Sequence, residues 1–194
     1  MSRPNLALTL GPLIKPTDLT PEQKPLYNDM KTSIETSFKG FKGIRHDGAL
    51  IGPWNPWLHL FKHGAHMWNL VKEMYVTATL DKRVREVAVL VTGTHFHAAY
   101  ALYAHVLMAE HRGLDDDTIA TIAAGQRPSS LSDAESVAYD AVSALLRGSV
   151  LPEPVYKRTV EHFGQEGTAE LVYFVGLYSM ISVTLDAFDE PAPE

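Results

Sequence analysis

DKRVREVAVLVTGTHFHAAYALYAHVLMAEHRG, running from Asp81 to Gly113, reads as two helices in succession. Asp81 suits the cap of the first, which extends through Glu86 to about Thr92. Thr92-Gly93-Thr94 fits a turn. The second helix runs from about Phe96 to Arg112, and Gly113 supplies the left-handed residue that ends it. Working outward, the same punctuation recurs. Thr20-Pro21-Glu22-Gln23 opens a helix, with Pro21 where a missing N–H costs nothing and Gln23 at the capping-box position. Pro25 weakens the first turn of that helix. Gly40, Gly43, Gly48 and Gly52 mark a loop of about fifteen residues, a length often tied to function. From Pro56 the chain reads as helical to about Ala78, with a break near Gly64. Asp115 opens a short helix with Asp116 and Asp117 in its first turn, closed by Gly125. Ser132-Asp133-Ala134-Glu135 is a capping box, and Gly148 ends the helix that follows. Two more helices, over about 152–163 and 166–188, are separated by Gly164. Strand-like alternation is scarce. The reading is all-α: an extended arm over 1–19, one helical domain over 20–189, and a Pro-rich, frayed tail over 190–194.

A chain of 194 residues suits a single domain, and 45% hydrophobic with 21% charged residues is ordinary globular composition. The net charge of −6 argues against a nucleic-acid partner. With no cysteine, disulfides, thiolate-held clusters and thiol chemistry are excluded. The longest apolar stretch, Leu171 to Leu185, falls short of the roughly 18–20 residues of a membrane span. The N-terminus lacks a signal-peptide pattern, so a soluble, cytoplasmic protein with no membrane partner is expected. Residues 171–185 are apolar on nearly every face. Such a helix is either the centre of the core or partly covered by another subunit.

The nine histidines cluster. His59, His63 and His66 share one helical face, and His95, His97 and His105 form a second group. Such spacing suits metal ligation, but the zinc-protease pattern needs Glu directly after the first His, where Leu60 stands. The other reading is hydrogen-bonded polar contacts in a cleft. Glu86 sits where Arg83-Val84-Arg85-Glu86 turns strongly apolar. It is either an acid–base carboxylate tuned by burial or by Arg83 and Arg85, or a surface ion pair. His105, with Tyr100 and Tyr103 among alanines, is either a polar group in an apolar ligand pocket or a satisfied core histidine.

Arg85-Glu86-Val87-Ala88-Val89-Leu90, Tyr100-Ala101-Leu102-Tyr103-Ala104-His105 and Gly113-Leu114 together resemble the carboxymuconolactone decarboxylase family, within the alkylhydroperoxidase D-like superfamily. Gly52-Pro53-Trp54-Asn55-Pro56-Trp57-Leu58-His59, Ala124–Pro128, Phe163–Gly167 and Thr184–Phe188 are similar to the longer members, so the resemblance spans nearly all of the chain beyond residue 20. The peroxidase branch carries Glu, a Cys-x-x-Cys pair and a His. Glu86 and His105 match its Glu and His, while its cysteine positions fall on Ala98 and Ala101. Thiol peroxidase chemistry is thereby excluded. The decarboxylase branch has Tyr-Glu-Trp where this chain has Tyr100, Ala101 and Leu102.

The resemblance implies an alkylhydroperoxidase D-like helical bundle, assembled as a homotrimer or a multiple of three. It implies a cofactor-independent, metal-free lyase acting on a small, acidic, ring-derived substrate such as a carboxymuconolactone. In that role His105 delivers a proton and Glu86 orients or recharges it. His59, Tyr100 and Tyr103 orient substrate oxygens, Arg85 holds a carboxylate, and His97 and Trp54 are further substrate contacts. Two alternatives stand beside it: a metal-dependent enzyme using His59, His63, His95 or His97, and a non-catalytic oligomeric binding protein. In the hairpin expected around Thr92–Thr94, Glu86 lies about 9 Å before the turn and His105 about 16 Å after it. The mismatch of about 7 Å is one a crossing angle can close.

Overall fold

Residues 11–38, 40–148 and 150–193 are described by a computed structural model. Among them the chain forms eight α-helices and no strand: α1 (Lys24–Thr36), α2 (Trp54–His59), α3 (Phe61–Val76), α4 (Lys82–Phe96), α5 (Ala99–His111), α6 (Asp116–Ala123), α7 (Asp133–Leu146) and α8 (Glu153–Ala187). The loop between α1 and α2 is closed by a single bridge, Ile44 to Leu50. Most of the expected arm, residues 1–10, lies outside the described residues.

Several boundaries differ from the sequence reading, each for a local reason. Thr20 and Gln23 do exchange hydrogen bonds, Thr20 N–H donating to Gln23 Oε1 at 2.9 Å and Gln23 N–H to Thr20 Oγ1 at 3.4 Å. The helix proper starts only at Lys24, which puts Pro25 in the first turn, where no N–H is needed. The break after α2 falls at Leu60 (φ −113°, ψ 56°), not at Gly64. Gly64 continues α3, and a Cβ there would lie 2.1 Å from the Trp57 carbonyl oxygen, so its role is close crossing. Likewise α4 runs straight through Thr92-Gly93-Thr94. A Cβ on Gly93 would meet the Leu102 and Ala101 side chains at 3.4 and 3.8 Å, so this glycine marks packing against α5. The chain reverses at His97 (φ 57°), and Ala98 N–H donates back to the Gly93 carbonyl at 3.1 Å.

Other signals match. Asp81 accepts from Arg83 N–H at 2.8 Å, and Ser132 with Glu135 forms the full capping box. Gly164 (φ 69°) is a kink within α8 and so joins the two helices expected there. The tail is fastened at its start. Gly52 N–H and Asn55 Nδ2 donate to the Glu190 carboxylate at 3.2 and 3.3 Å, while Asn55 Oδ1 accepts from Ile14 N–H at 3.1 Å. One asparagine thus ties both ends of the chain to α2. Burial pushes the Glu190 carboxyl above its ordinary value. The folded state therefore holds that proton more tightly than the unfolded chain, and this contribution to stability is lost as pH rises through the raised value.

α4 is the central helix, buried at every position from Val84 to Gly93 and packed by α5, α6, α7 and α8. On one side, α4, α6, α7 and the middle of α8 share an aliphatic core; on the other, α1, α2, α3, α5 and the end of α8 share an aromatic one. By length and composition α8 does match a membrane span, with half of its apolar window buried in the bundle. Its other face exposes a stripe of Val172, Tyr173, Met180 and Val183.

The crossing at Gly64 makes a direct test. Gly64→Ala forces a methyl into backbone, and the expected loss is about 1–3 kcal/mol in denaturant unfolding. Gly176→Ala, where a Cβ meets nothing within 4 Å, is expected to gain up to about 1 kcal/mol.

Candidate active site

Glu86 has no exposure at all, which removes the surface ion-pair reading. Neither Arg83 nor Arg85 is its partner. Arg83 Nε donates instead to the buried Glu135 at 2.7 Å, tying α4 to α7. The carboxylate of Glu86 is held from α5. His105 Nδ1 donates to Oε2 at 2.8 Å, and the Arg112 guanidinium donates to Oε1. His105 lies on α5 and Arg112 is the C-cap that ends it, seven residues on, so one helix and its cap deliver both. With the reversal at His97, Glu86 lies about 16 Å before the turn and His105 about 12 Å after it. That leaves a mismatch of about 4 Å in place of 7 Å, and the side chains meet. Arg112 was not singled out in the sequence; its seven-residue offset from His105 is the signal that could have found it.

With Nδ1–H committed to a carboxylate, the neutral imidazole has its free lone pair on Nε2. His105 lines a pocket of about 50 Å³ whose walls include Phe38, Phe41, Trp54, Trp57, Tyr100 and Tyr178. The imidazole meets the Tyr178 ring edge-on at 5.0 Å. The Tyr178 hydroxyl pairs with that of Tyr75 at 2.6 Å, and burial raises both phenols above their ordinary value. These are neutral hydrogen-bonding groups, and the sequence reading had named neither.

The remaining expected site residues divide. Trp54 and Tyr100 line the pocket, and the Tyr100 hydroxyl donates to the Lys42 carbonyl at 2.7 Å. Tyr103 does not line it, and its hydroxyl accepts from Lys42 N–H at 2.9 Å. Both phenols therefore clamp the α1–α2 loop. His59 lies on the far side of α2, where Nε2 donates to the Pro12 carbonyl at 2.7 Å. His97 is the exposed left-handed residue of the α4–α5 turn. Arg85 is buried but outside the pocket, its guanidinium stacked on Tyr75 and Phe174 at 5.4 and 5.9 Å. As adjacent helical residues, Arg85 and Glu86 point about 100° apart and cannot serve one face. His63, His66 and His95 are exposed, and among the described residues no three His, Asp or Glu side chains converge as a metal set would.

No protein-family model matches the sequence, and no curated protein matches it significantly. Solved structures do match. The crystal structure of the debrominase Bmp8, as a cysteine-to-alanine variant in complex with 2,3,4-tribromopyrrole, aligns with a TM-score of 0.71 at 13% identity, over 96% of this chain and 93% of that one. The apo debrominase aligns with a TM-score of 0.70 at 13% identity and the same coverage. This chain has that all-helical fold.

The Glu86 triad predicts strong coupling. Arg112→Met strands a buried carboxylate and is expected to cost about 3–5 kcal/mol of stability in denaturant unfolding. Adding Glu86→Gln to that variant should recover most of the loss, because no buried charge is then left unpaired.

Proposed function

We propose that the protein is a cofactor-independent lyase or isomerase that moves a proton on a small, ring-derived compound, with His105 Nε2 as the acid–base atom. The buried contact between Glu86 and His105 Nδ1, 2.8 Å long, is the observation that supports this most. Glu86 is a positioning residue: it holds the tautomer and stabilises the imidazolium when Nε2 is protonated. Arg112 supplies the second donor to the same carboxylate.

In the decarboxylase version, the bond between ring carbon and carboxylate breaks and its electron pair passes into the conjugated lactone carbonyl. Carbon dioxide leaves. His105 Nε2, having first taken a proton from solvent, delivers it to the ring carbon, and the imidazole returns to its neutral Nδ1–H form. The electron sink belongs to the substrate, which is why this version needs no cofactor. The debrominase neighbour binds a single small ring, which agrees with a ring-sized pocket here. A thiol route is closed to this chain, which has no cysteine.

The α8 stripe of Val172, Tyr173, Met180 and Val183 supports assembly with further copies of the chain, and the resemblance to the decarboxylase family makes that assembly a homotrimer or a multiple of three. Sedimentation showing a stable monomer at micromolar concentration would contradict it.

Turnover of conjugated lactone carboxylates in D2O, followed by deuterium in the product, tests the chemistry. Wild type should incorporate deuterium at the ring carbon. His105→Ala should lose about 10²–10⁴ in rate, and Glu86→Gln somewhat less. Full activity in His105→Ala would overturn the proposal. Chelators should leave turnover unchanged; loss restored by one added metal would favour a metal-dependent enzyme.

A further inference from the structure

Arg85 is 5% exposed, yet its guanidinium meets no acceptor. Nε and Nη1 are sealed from water without a hydrogen bond, and among the described residues no carboxylate forms a salt bridge with this side chain. It is held by rings instead, with Tyr75 and Phe174 at 5.4 and 5.9 Å. Stacking offsets part of the cost of burying a cation and leaves its N–H edge unanswered. Nη2 differs from the other two nitrogens. It also has no partner, but it is not sealed, so one end of a buried cation reaches solvent.

A second guanidinium stands on the same ring. Arg112 lies 6.0 Å from the centre of Tyr75, and the two guanidinium carbons are at most the sum of 5.4 and 6.0 Å apart, about 11 Å. Arg112 gives Nη1 to Glu86; its other nitrogens have no partner and are likewise unsealed, on a side chain 16% exposed. The charges that act on the Tyr75 hydroxyl are these two cations and Glu86. Two positive charges and one negative leave one positive charge uncompensated in a largely buried cluster, where such an imbalance is costly. Neither arginine lines the His105 pocket, so the imbalance lies outside the site already described.

We infer that Arg85 and Arg112, beside Tyr75, form an anion site separate from the His105 pocket, taking one oxyanion group of a small molecule, a carboxylate or a phosphate, on Nη2 of Arg85. Charged oxygens make the strongest hydrogen bonds to a guanidinium. With Nε and Nη1 sealed, the contact uses one nitrogen in place of the two-pronged fork. Charge therefore selects the ligand more than shape does, and binding is weak, in the millimolar range. Arg112 adds a second positive field on the same side of the aromatic layer.

The sealed Nε–H of Arg85 is itself the probe, because a proton closed off from water exchanges slowly and stays visible in the ¹⁵N-labelled protein. Arg85→Lys assigns its signal by removing it. Sodium phosphate and sodium acetate are titrated at pH 7 against sodium chloride at equal ionic strength. Both oxyanions should move the Arg85 signal saturably at millimolar concentration, and chloride should not. Phosphate should also raise the unfolding temperature of wild type above that in matched chloride, as a ligand of the folded state does, and Arg85→Met should lose that rise. Phosphate and chloride acting alike, or Arg85→Met gaining as much from phosphate as wild type, would overturn the inference. So would an Arg85 signal that moves with protein concentration and not with phosphate, since its partner would then be a carboxylate of a second copy. None of these readouts involves His105, so the acid–base reading stands or falls separately.

Discussion

A carboxylate sealed from water is the constraint on which the rest of the molecule depends. Glu86 sits within the unbroken buried run of α4, where an unpaired charge would cost several kcal/mol. The only elements able to supply partners are those packed against α4. α5 supplies both, His105 and Arg112, and it can do so because the two backbones approach closely. Gly93 on α4 and Ala101 and Ala104 on α5 leave room where larger side chains would hold the helices apart. Small residues in this hairpin thus serve the site as much as the fold.

A layer of aromatic rings separates the charges from the pocket. Tyr75 lies against both guanidiniums, Phe174 stacks on Tyr178 at 6.2 Å, and Tyr178 faces the imidazole. His105 alone passes from the charged side to the apolar side. This arrangement gives the imidazole a fixed donor direction behind it and a weakly polar space in front. Among the described residues, no carboxylate, lysine or arginine lines that space.

Much of this was legible in the residues, and the exceptions have physical causes. Asp81, Ser132 with Glu135, and Gly164 act locally, so their roles follow from neighbours in sequence. Gly64 and Gly93 were misread as breaks because glycine signals either a turn or a close approach, and only the partner helix decides which. The pairing of Glu86 with His105 was legible from the hairpin, whereas Arg112 took its place only once the reversal moved to His97. Tyr103, His59 and Arg85 have the chemistry of substrate ligands, yet each is used for structure: a loop clamp, a tie to the arm, a stack on Tyr75. Residue type tells what a side chain is able to do. Which neighbour claims it first is settled by packing.

The central claim is that Glu86 holds His105 as the Nδ1–H tautomer and leaves Nε2 free. Imidazole ¹⁵N chemical shifts of His105, recorded where the ring is neutral, test it most directly. The account predicts a protonated Nδ1 and an unprotonated Nε2 in the wild type, with that preference weakened in Glu86→Gln. A neutral His105 carrying its proton on Nε2, or a tautomer balance unaffected by Glu86→Gln, would contradict it.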